Sequence, residues 1–242
     1  MRVVAVIPAR YGSTRFPGKP IAPVAGKPLI QWVWEGASQS REIGELRIAT
    51  DDSRIAQCAE KFGAKVVMTR PDHPSGTDRI AEAAQDVRAD WVLNLQGDEP
   101  LITGEFLDAW IQSLDPRVGM STVATLLRDP SDLTRTDIVK VRWDKSGQAS
   151  GFRRSVPAAE AGEWRHQHVG LYAYRPATLK KFVALPPSEG EKRDKLEQLR
   201  ALENGIAVQV VPLTFLSVGV DTPGDVTRAE RALAERAGGV SK

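Results

Sequence analysis

The chain has 242 residues, 33 Lys and Arg against 31 Asp and Glu (net charge +2), 41% hydrophobic residues and one cysteine, Cys58. Such a balance describes an ordinary soluble globule. Its interspersed charge argues against a nucleic-acid binder, and a lone cysteine excludes an intrachain disulfide or a cysteine-rich zinc site. No apolar run approaches the roughly 18 residues of a membrane span, and the apolar stretch before Pro8 is too short for a secretory signal, so a cytoplasmic protein without a membrane partner is expected.

In chain order, Val3–Ile7 is a nearly continuous apolar run closed by Pro8, the pattern of a strand buried on both faces. Leu29–Ala37 reads as a helix, with Pro28 suited to its first turn. Leu46–Thr50 is a second strand. Asp51 is placed to cap the following helix, whose Ile55, Ala56 and Ala59 form one stripe before Phe62-Gly63. Lys65–Met68 is a third strand, Ser75-Gly76-Thr77-Asp78 opens a capped helix, and Trp91–Leu95 is a fourth strand. This alternation predicts right-handed crossovers and a parallel sheet.

Beyond residue 115 the rhythm changes. Ser121–Leu127, Ile138–Trp143 and His168–Tyr174 read as strands without intervening helices, which fits a mixed sheet or an inserted β-ribbon. Ser188–Asn204 returns to helix, with Ser188 and Glu191 as a capping box and Gly205 after its end. Val208–Val211 is a late strand. Pro223–Arg236 is the last helix, with Thr222 as its cap and Pro223 at its first position.

Open α/β sheets bind ligands beyond the carboxyl ends of their strands, which singles out the loops 8–19, 69–79 and 96–100. The first carries Arg10, Arg15 and Lys19 among small residues, a combination suited to a polyphosphate or, more simply, to a solvated basic loop. It is neither a Gly-x-Gly-x-x-Gly fingerprint nor a Walker loop, which disfavours a nicotinamide dehydrogenase. Of the adjacent Asp98 and Glu99, one is expected to face the cleft, either as a magnesium ligand or as a turn residue. Asp221 either lies near a helix start for electrostatic reasons or joins Asp98 as a second ligand. His168, Gly170 and Tyr172 share one face of their strand, so His168 serves either a small polar recess or the strand's own hydrogen bonding. Glu197 and Gln198 lie beside the Leu196, Leu199 and Leu202 stripe, where the plain reading is solvent exposure with a Glu197–Arg200 pair.

Taken together, Pro8-Ala9-Arg10 with Ser13 to Pro20, Thr69 to Arg79, Asn94 to Pro100, His168 to Tyr174, Leu196 to Gly205 and Gly219 to Pro223 resemble, in order, the motifs of the 3-deoxy-manno-octulosonate cytidylyltransferases, the CMP-KDO synthetases. The resemblance spans nearly the whole chain. It implies a Rossmann-like nucleotidyltransferase with a mostly parallel central sheet and helices on both faces. That fold would be a single domain, 1–242, with a β-rich sugar-binding and dimerisation insertion at 118–175 and therefore a homodimer. It implies transfer of CMP from CTP to the anomeric hydroxyl of 3-deoxy-D-manno-octulosonate, for lipopolysaccharide biosynthesis, with release of pyrophosphate and a need for Mg²⁺.

By the same resemblance, Pro8, Ala9, Arg10, Ser13, Lys19, Ser75, Gly76 and Asp98 would hold the nucleotide. Asp98 and Asp221 would hold the metal, with Arg10 and Lys19 as the catalytic cations. Arg15, Gln96, Arg154, His168, Tyr172, Glu197 and Gln198 would line the sugar pocket. The stretch Phe152-Arg153-Arg154-Ser155-Val156-Pro157 stands where the family has Phe-Ser-Arg, and the loop after it is short, so the acceptor side departs from the pattern. Other readings are a related acceptor, such as an 8-amino derivative or a small phosphonate, and a nucleotide-binding protein without turnover.

Overall fold

The N-terminal apolar run forms β1 (Val3–Ala9), in which Val3 to Ile7 are wholly screened from water, as a strand covered on both faces requires. A computed structural model describes residues 1–239. After β1 come a short hairpin, β2 (Pro23–Val24) and β3 (Lys27–Pro28), then α1 (Leu29–Ser38), β4 (Ile43–Thr50), α2 (Ser53–Lys61), β5 (Lys65–Met68), α3 (Gly76–Ala83), β6 (Trp91–Asn94) and α4 (Gly104–Gln112). There follow β7 (Met120–Leu126), β8 (Lys140–Trp143), β9 (Ala149–Arg153), β10 (His166–Tyr174), α5 (Pro176–Val183), α6 (Glu189–Asp194), α7 (Leu199–Glu203), β11 (Val208–Pro212) and α8 (Pro223–Gly239). The result is the expected α/β architecture with a mostly parallel central sheet.

The chain divides into two compact units: residues 1–109 with the stretch from Leu216 onward, and residues 110–215. In the first, the strands run β6-β1-β4-β5 with every neighbouring pair parallel. Because β1 pairs with β4 on one side and β6 on the other, the chain order reverses at β1. At such a reversal the loops leaving two adjacent strands diverge and open a crevice. In the second unit β11 pairs parallel with β7, β7 antiparallel with β10, and β10 with the ribbon of β8 and β9. Its core gathers Ala124, Val141, Phe152, Leu196, Leu199 and Val210.

Several local expectations are corrected. The residue capping α2 is Asp52, whose carboxylate accepts from Arg54 N at 2.9 Å, while Asp51 faces the Arg79 guanidinium at 3.3 Å. Pro28 precedes α1 instead of lying in its first turn: its ψ of 139° is extended and its main chain pairs with Pro23. The single helix expected over Ser188–Asn204 is two. The capping box of Ser188 and Glu191 starts α6 as read, but Lys195 turns left-handed (φ 55°) and ends it. The chain then buries Leu196 before α7 begins. The Arg154 guanidinium holds this break by donating to the carbonyls of Asp194 (2.7 Å) and Lys195 (2.9 Å).

The Glu197–Arg200 pair expected on an exposed face is secondary, at 3.8 Å. Arg200 is buried and grips Glu191 through two bonds of 2.7 and 2.5 Å. Lys140, unremarked in the sequence, is fully buried, and its ammonium donates to the carbonyls of Arg135, Ile138 and Arg154 at 2.6–2.8 Å. Three donors thus meet three acceptors, the condition under which a buried ammonium is tolerated.

Candidate active site

In the first unit the loop leaving β1 is shaped by its own backbone. The Tyr11 carbonyl accepts from Ser13 N and Gly18 N at 2.9 Å each, and Gly18 takes a φ of 72° that disfavours any side chain. This turn delivers Lys19 into a short 3-10 turn, Lys19–Ile21. Arg54, bound to Asp52, stacks 3.3 Å from the centre of the Tyr11 ring and braces the loop from α2. Arg10 is exposed at the end of β1, and Ser13 Oγ accepts from Phe16 N at 3.4 Å.

The loop leaving β6 comes so close to β1 that a Cβ on Gly97 would lie 3.2 Å from the Pro8 carbonyl oxygen. That approach sets the next residue, Asp98, against the Lys19 ammonium at 2.8 Å. The segment before α8 brings Asp221 to the same nitrogen at 3.2 Å. The two carboxylate oxygens, 123 residues apart in sequence, are therefore separated by no more than the sum of those distances. Arg15 also reaches Asp221, at 3.2 Å. Burial works against the Lys19 ammonium, but the two carboxylates outweigh it and raise its pKa.

Glu99 turns the other way. It is buried, its Oε1 accepts from Ser217 Oγ at 2.6 Å, and burial together with the Asp98 charge pushes its carboxyl up to about 8. Gln96 is half-buried, and its carbonyl accepts from Glu99 N.

At the start of α3, Ser75 Oγ accepts from Thr77 N and Asp78 N at 3.1 and 3.2 Å and donates to Asp78, and Gly76 lies against Pro8. The preceding loop is tied down by Glu82, which pairs with His73 and accepts from Arg70 N, and by Arg79, which donates to Thr69 and Arg70. His73 is thus part of a loop fastening.

In the second unit, β10 bulges between Val169 and Tyr172. Two extra residues preserve the alternation, so His168 and Tyr172 stay on one face with ring centres 5.5 Å apart, and Phe152 meets His168 edge-on at 5.1 Å. The Thr122 hydroxyl donates to the Leu171 carbonyl at 2.7 Å, so His168 donates to it from Nε2 (3.0 Å) and keeps Nδ1 as an acceptor. Burial drives the His168 pKa down to about 3, and burial with the Glu197 charge raises that of Tyr172. Both side chains are neutral near pH 7. Gln198 is buried, not solvent-facing. Arg154 commits its guanidinium to carbonyls of Thr136, Asp194 and Lys195.

A histidine held neutral in the fold has a consequence for stability. The unfolded chain takes up a proton near pH 6.5, whereas the folded one does so only near pH 3. Between those values the unfolded state binds more protons, so stability falls as the pH falls, by up to about 1.4 kcal/mol per unit. Urea midpoints taken from pH 7 down to pH 4 are expected to decline more steeply for the wild type than for His168→Gln. Equal slopes would contradict the buried neutral state.

Comparison with known proteins adds to this geometry. A sequence profile described as cytidylyltransferase matches residues 4–209. The chain is 43% identical to a 3-deoxy-manno-octulosonate cytidylyltransferase of Geobacter sulfurreducens, over 94% of this chain and 98% of that one. It is 45% identical to the protein of the same name in Bdellovibrio bacteriovorus, over 98% and 99%. The chain belongs to the 3-deoxy-manno-octulosonate cytidylyltransferase family. A solved CMP:2-keto-3-deoxy-manno-octonic acid synthetase complexed with CTP shares its fold at a TM-score of 0.91 and 38% identity, covering 98% of this chain and all of that one. A Leptospira borgpetersenii cytidylyltransferase, at TM-score 0.67 and 17% identity, shares the fold alone.

Among the described residues of this family member, no group of three or more His, Cys, Asp and Glu side chains is arranged to hold a metal. Asp98 and Asp221 instead form a two-carboxylate site converging on one cation. Magnesium is commonly held that way, by one or two carboxylates with waters and substrate phosphates completing its shell, so the donor set fits it. Sequence reading missed Glu99 and Ser217 as a bonded pair, because nothing in the spacing of two residues 118 positions apart announces a contact. No described helix is long and apolar enough to cross a membrane.

Proposed function

We propose that the protein transfers CMP from CTP to the anomeric hydroxyl of 3-deoxy-D-manno-octulosonate, releasing pyrophosphate, in a Mg²⁺-dependent reaction. The observation that carries this reading is the convergence of Lys19, Asp98 and Asp221 where the strand order reverses. In-line displacement at the α-phosphorus asks little covalent chemistry of the protein, so the residues act by positioning and by neutralising charge. Arg10 and Lys19 supply cations for the triphosphate, and Pro8, Ala9, Ser13, Ser75 and Gly76 border the nucleotide. Asp98 and Asp221 would hold the metal, which when bound offsets phosphate charge and acidifies the attacking hydroxyl. In the second unit, His168 and Tyr172 offer neutral hydrogen-bonding groups to a polyhydroxylated acceptor, with Glu197 and Gln198 beside them. We assign Arg15 and Gln96 to the acceptor too. Arg154 takes part by fixing the backbone at Lys195.

Incubation of the protein with MgCl₂, CTP and 3-deoxy-D-manno-octulosonate should yield the CMP-sugar and one equivalent of pyrophosphate. CTP binding with no pyrophosphate from any acceptor would leave a nucleotide-binding protein instead. Faster turnover with the 8-amino sugar or a phosphonate would reassign the acceptor. His168→Ala should raise the KM for the sugar at least about tenfold through the lost hydrogen bonding, with the KM for CTP little changed; the reverse pattern would remove His168 from the acceptor side. We place the reaction in the cytoplasm and propose that residues 118–175 pair two subunits. A monomeric mass in sedimentation at micromolar protein would refute the pairing.

A further inference from the structure

We propose that Glu99 is a positioning residue for the reaction, clamping the segment 217–220 so that Asp221 is set beside Asp98 and Lys19. The inference rests on the reading of Asp98 and Asp221 as the divalent-cation site. Glu99 is 8% exposed, an expensive place for a carboxyl group unless its partners repay the desolvation. It spends one oxygen on the chain that carries Asp221: Oε1 accepts from Ser217 Oγ at 2.6 Å. Gly219 lies beside the same carboxyl, where a Cβ would make ordinary contact with Oε1 at 3.7 Å. The next, Val220, donates its N–H to the Asp98 carbonyl at 3.0 Å.

Residues 98–99 thus hold both ends of 217–220, at Ser217 and at Val220, and Asp221 is the first residue beyond the second of these bonds. On its other side, Asp221 N and Thr222 N both donate to the Asp225 carboxylate at the head of α8, at 3.0 and 2.8 Å. Asp221 is therefore fixed from both directions, and Glu99 supplies the side-chain part of the hold on the β6 side. Its second oxygen, Oε2, is buried and has no hydrogen-bond partner among the described residues. A buried polar oxygen left unmatched is a cost to folding whether or not it carries a proton, so stability alone does not account for a carboxyl at this position. An aliphatic side chain would fill the space at less cost but could not hold Ser217.

The test compares wild type with Ser217→Ala, Glu99→Ala and Glu99→Gln. Mn²⁺ binding is followed by loss of the free-ion paramagnetic resonance signal in the presence of CTP without acceptor. In parallel, the Mg²⁺ dependence of pyrophosphate release is measured. Ser217→Ala and Glu99→Ala are expected to weaken Mn²⁺ binding about tenfold and to raise half-saturating Mg²⁺ by the same factor, with kcat at saturating Mg²⁺ near wild type. Glu99→Gln keeps an acceptor for Ser217 and should recover most of the binding. A merely structural role would lower thermal stability and leave the Mn²⁺ isotherm of the folded protein where it was. Should Glu99→Ala not fold, Ser217→Ala decides the matter, since it removes one hydroxyl at a half-buried position. Wild-type Mn²⁺ affinity in Ser217→Ala overturns the clamp while leaving the cation site intact. Failure of the wild type itself to bind Mn²⁺ overturns the cation site and the clamp with it.

Discussion

Asp98→Asn is expected to lower kcat for pyrophosphate release at least about 10²-fold, and Asp221→Asn to do the same. The two carboxylates meet one ammonium at 2.8 and 3.2 Å, so each contributes about half of the negative charge at that point. An amide keeps the shape and one oxygen but removes the charge, and an electrostatic contribution aimed at developing phosphate charge is worth a few kcal/mol. The loss should persist at saturating Mg²⁺, because an amide oxygen does not replace a carboxylate as a hard anionic ligand. Both variants should fold, since their partners are cations that are themselves partly exposed. Near-wild-type rates for either variant at saturating Mg²⁺ would remove that residue from the reaction.

Glu191→Ala is expected to cost about 3–5 kcal/mol of stability, the largest effect of any single change argued for the second unit. Arg200 has a side chain 7% exposed and is always charged; without Glu191 it loses two bonds of 2.7 and 2.5 Å at once. The same substitution removes the capping box that starts α6. The Leu185 carbonyl, at 3.4 Å, and Glu197, at 3.8 Å, are too remote to replace a bidentate carboxylate. Urea unfolding checks the value, and a loss under about 1 kcal/mol would show that Arg200 relaxes to solvent. Replacing both partners by leucine should recover much of the loss, because the penalty lies in taking the bidentate carboxylate away from a buried guanidinium.

These two predictions depend on different kinds of information. The elements around the nucleotide were legible from residues close in sequence. A continuous apolar run marks a doubly covered strand, Ser75 and Asp78 mark a helix start, and the cations of the first loop lie within ten residues of one another. Where a helix expectation failed, the deciding interaction came from afar. Ser188–Asn204 has helical spacing throughout, yet Arg154, some forty residues upstream, binds the carbonyls at Lys195 and holds a left-handed residue there. Similarly, Glu197 and Arg200 satisfy the i,i+3 rule, but Arg200 finds a better partner nine residues away in the preceding helix. Local rules rank partners by spacing; packing ranks them by geometry and burial.

By itself, the amino-acid sequence determined the α/β class, the parallel rhythm of the first unit and membership of the cytidylyltransferase family, because periodicity and ordered motifs are properties of neighbouring residues. The tertiary structure alone decided that Asp98 and Asp221 converge on Lys19, that Glu99 faces inward to Ser217, and that His168 is held neutral. The physical reason is that a strand-order reversal and a return of the chain bring distant groups together, and the resulting desolvation acts on groups whose spacing in the chain carries no sign of it.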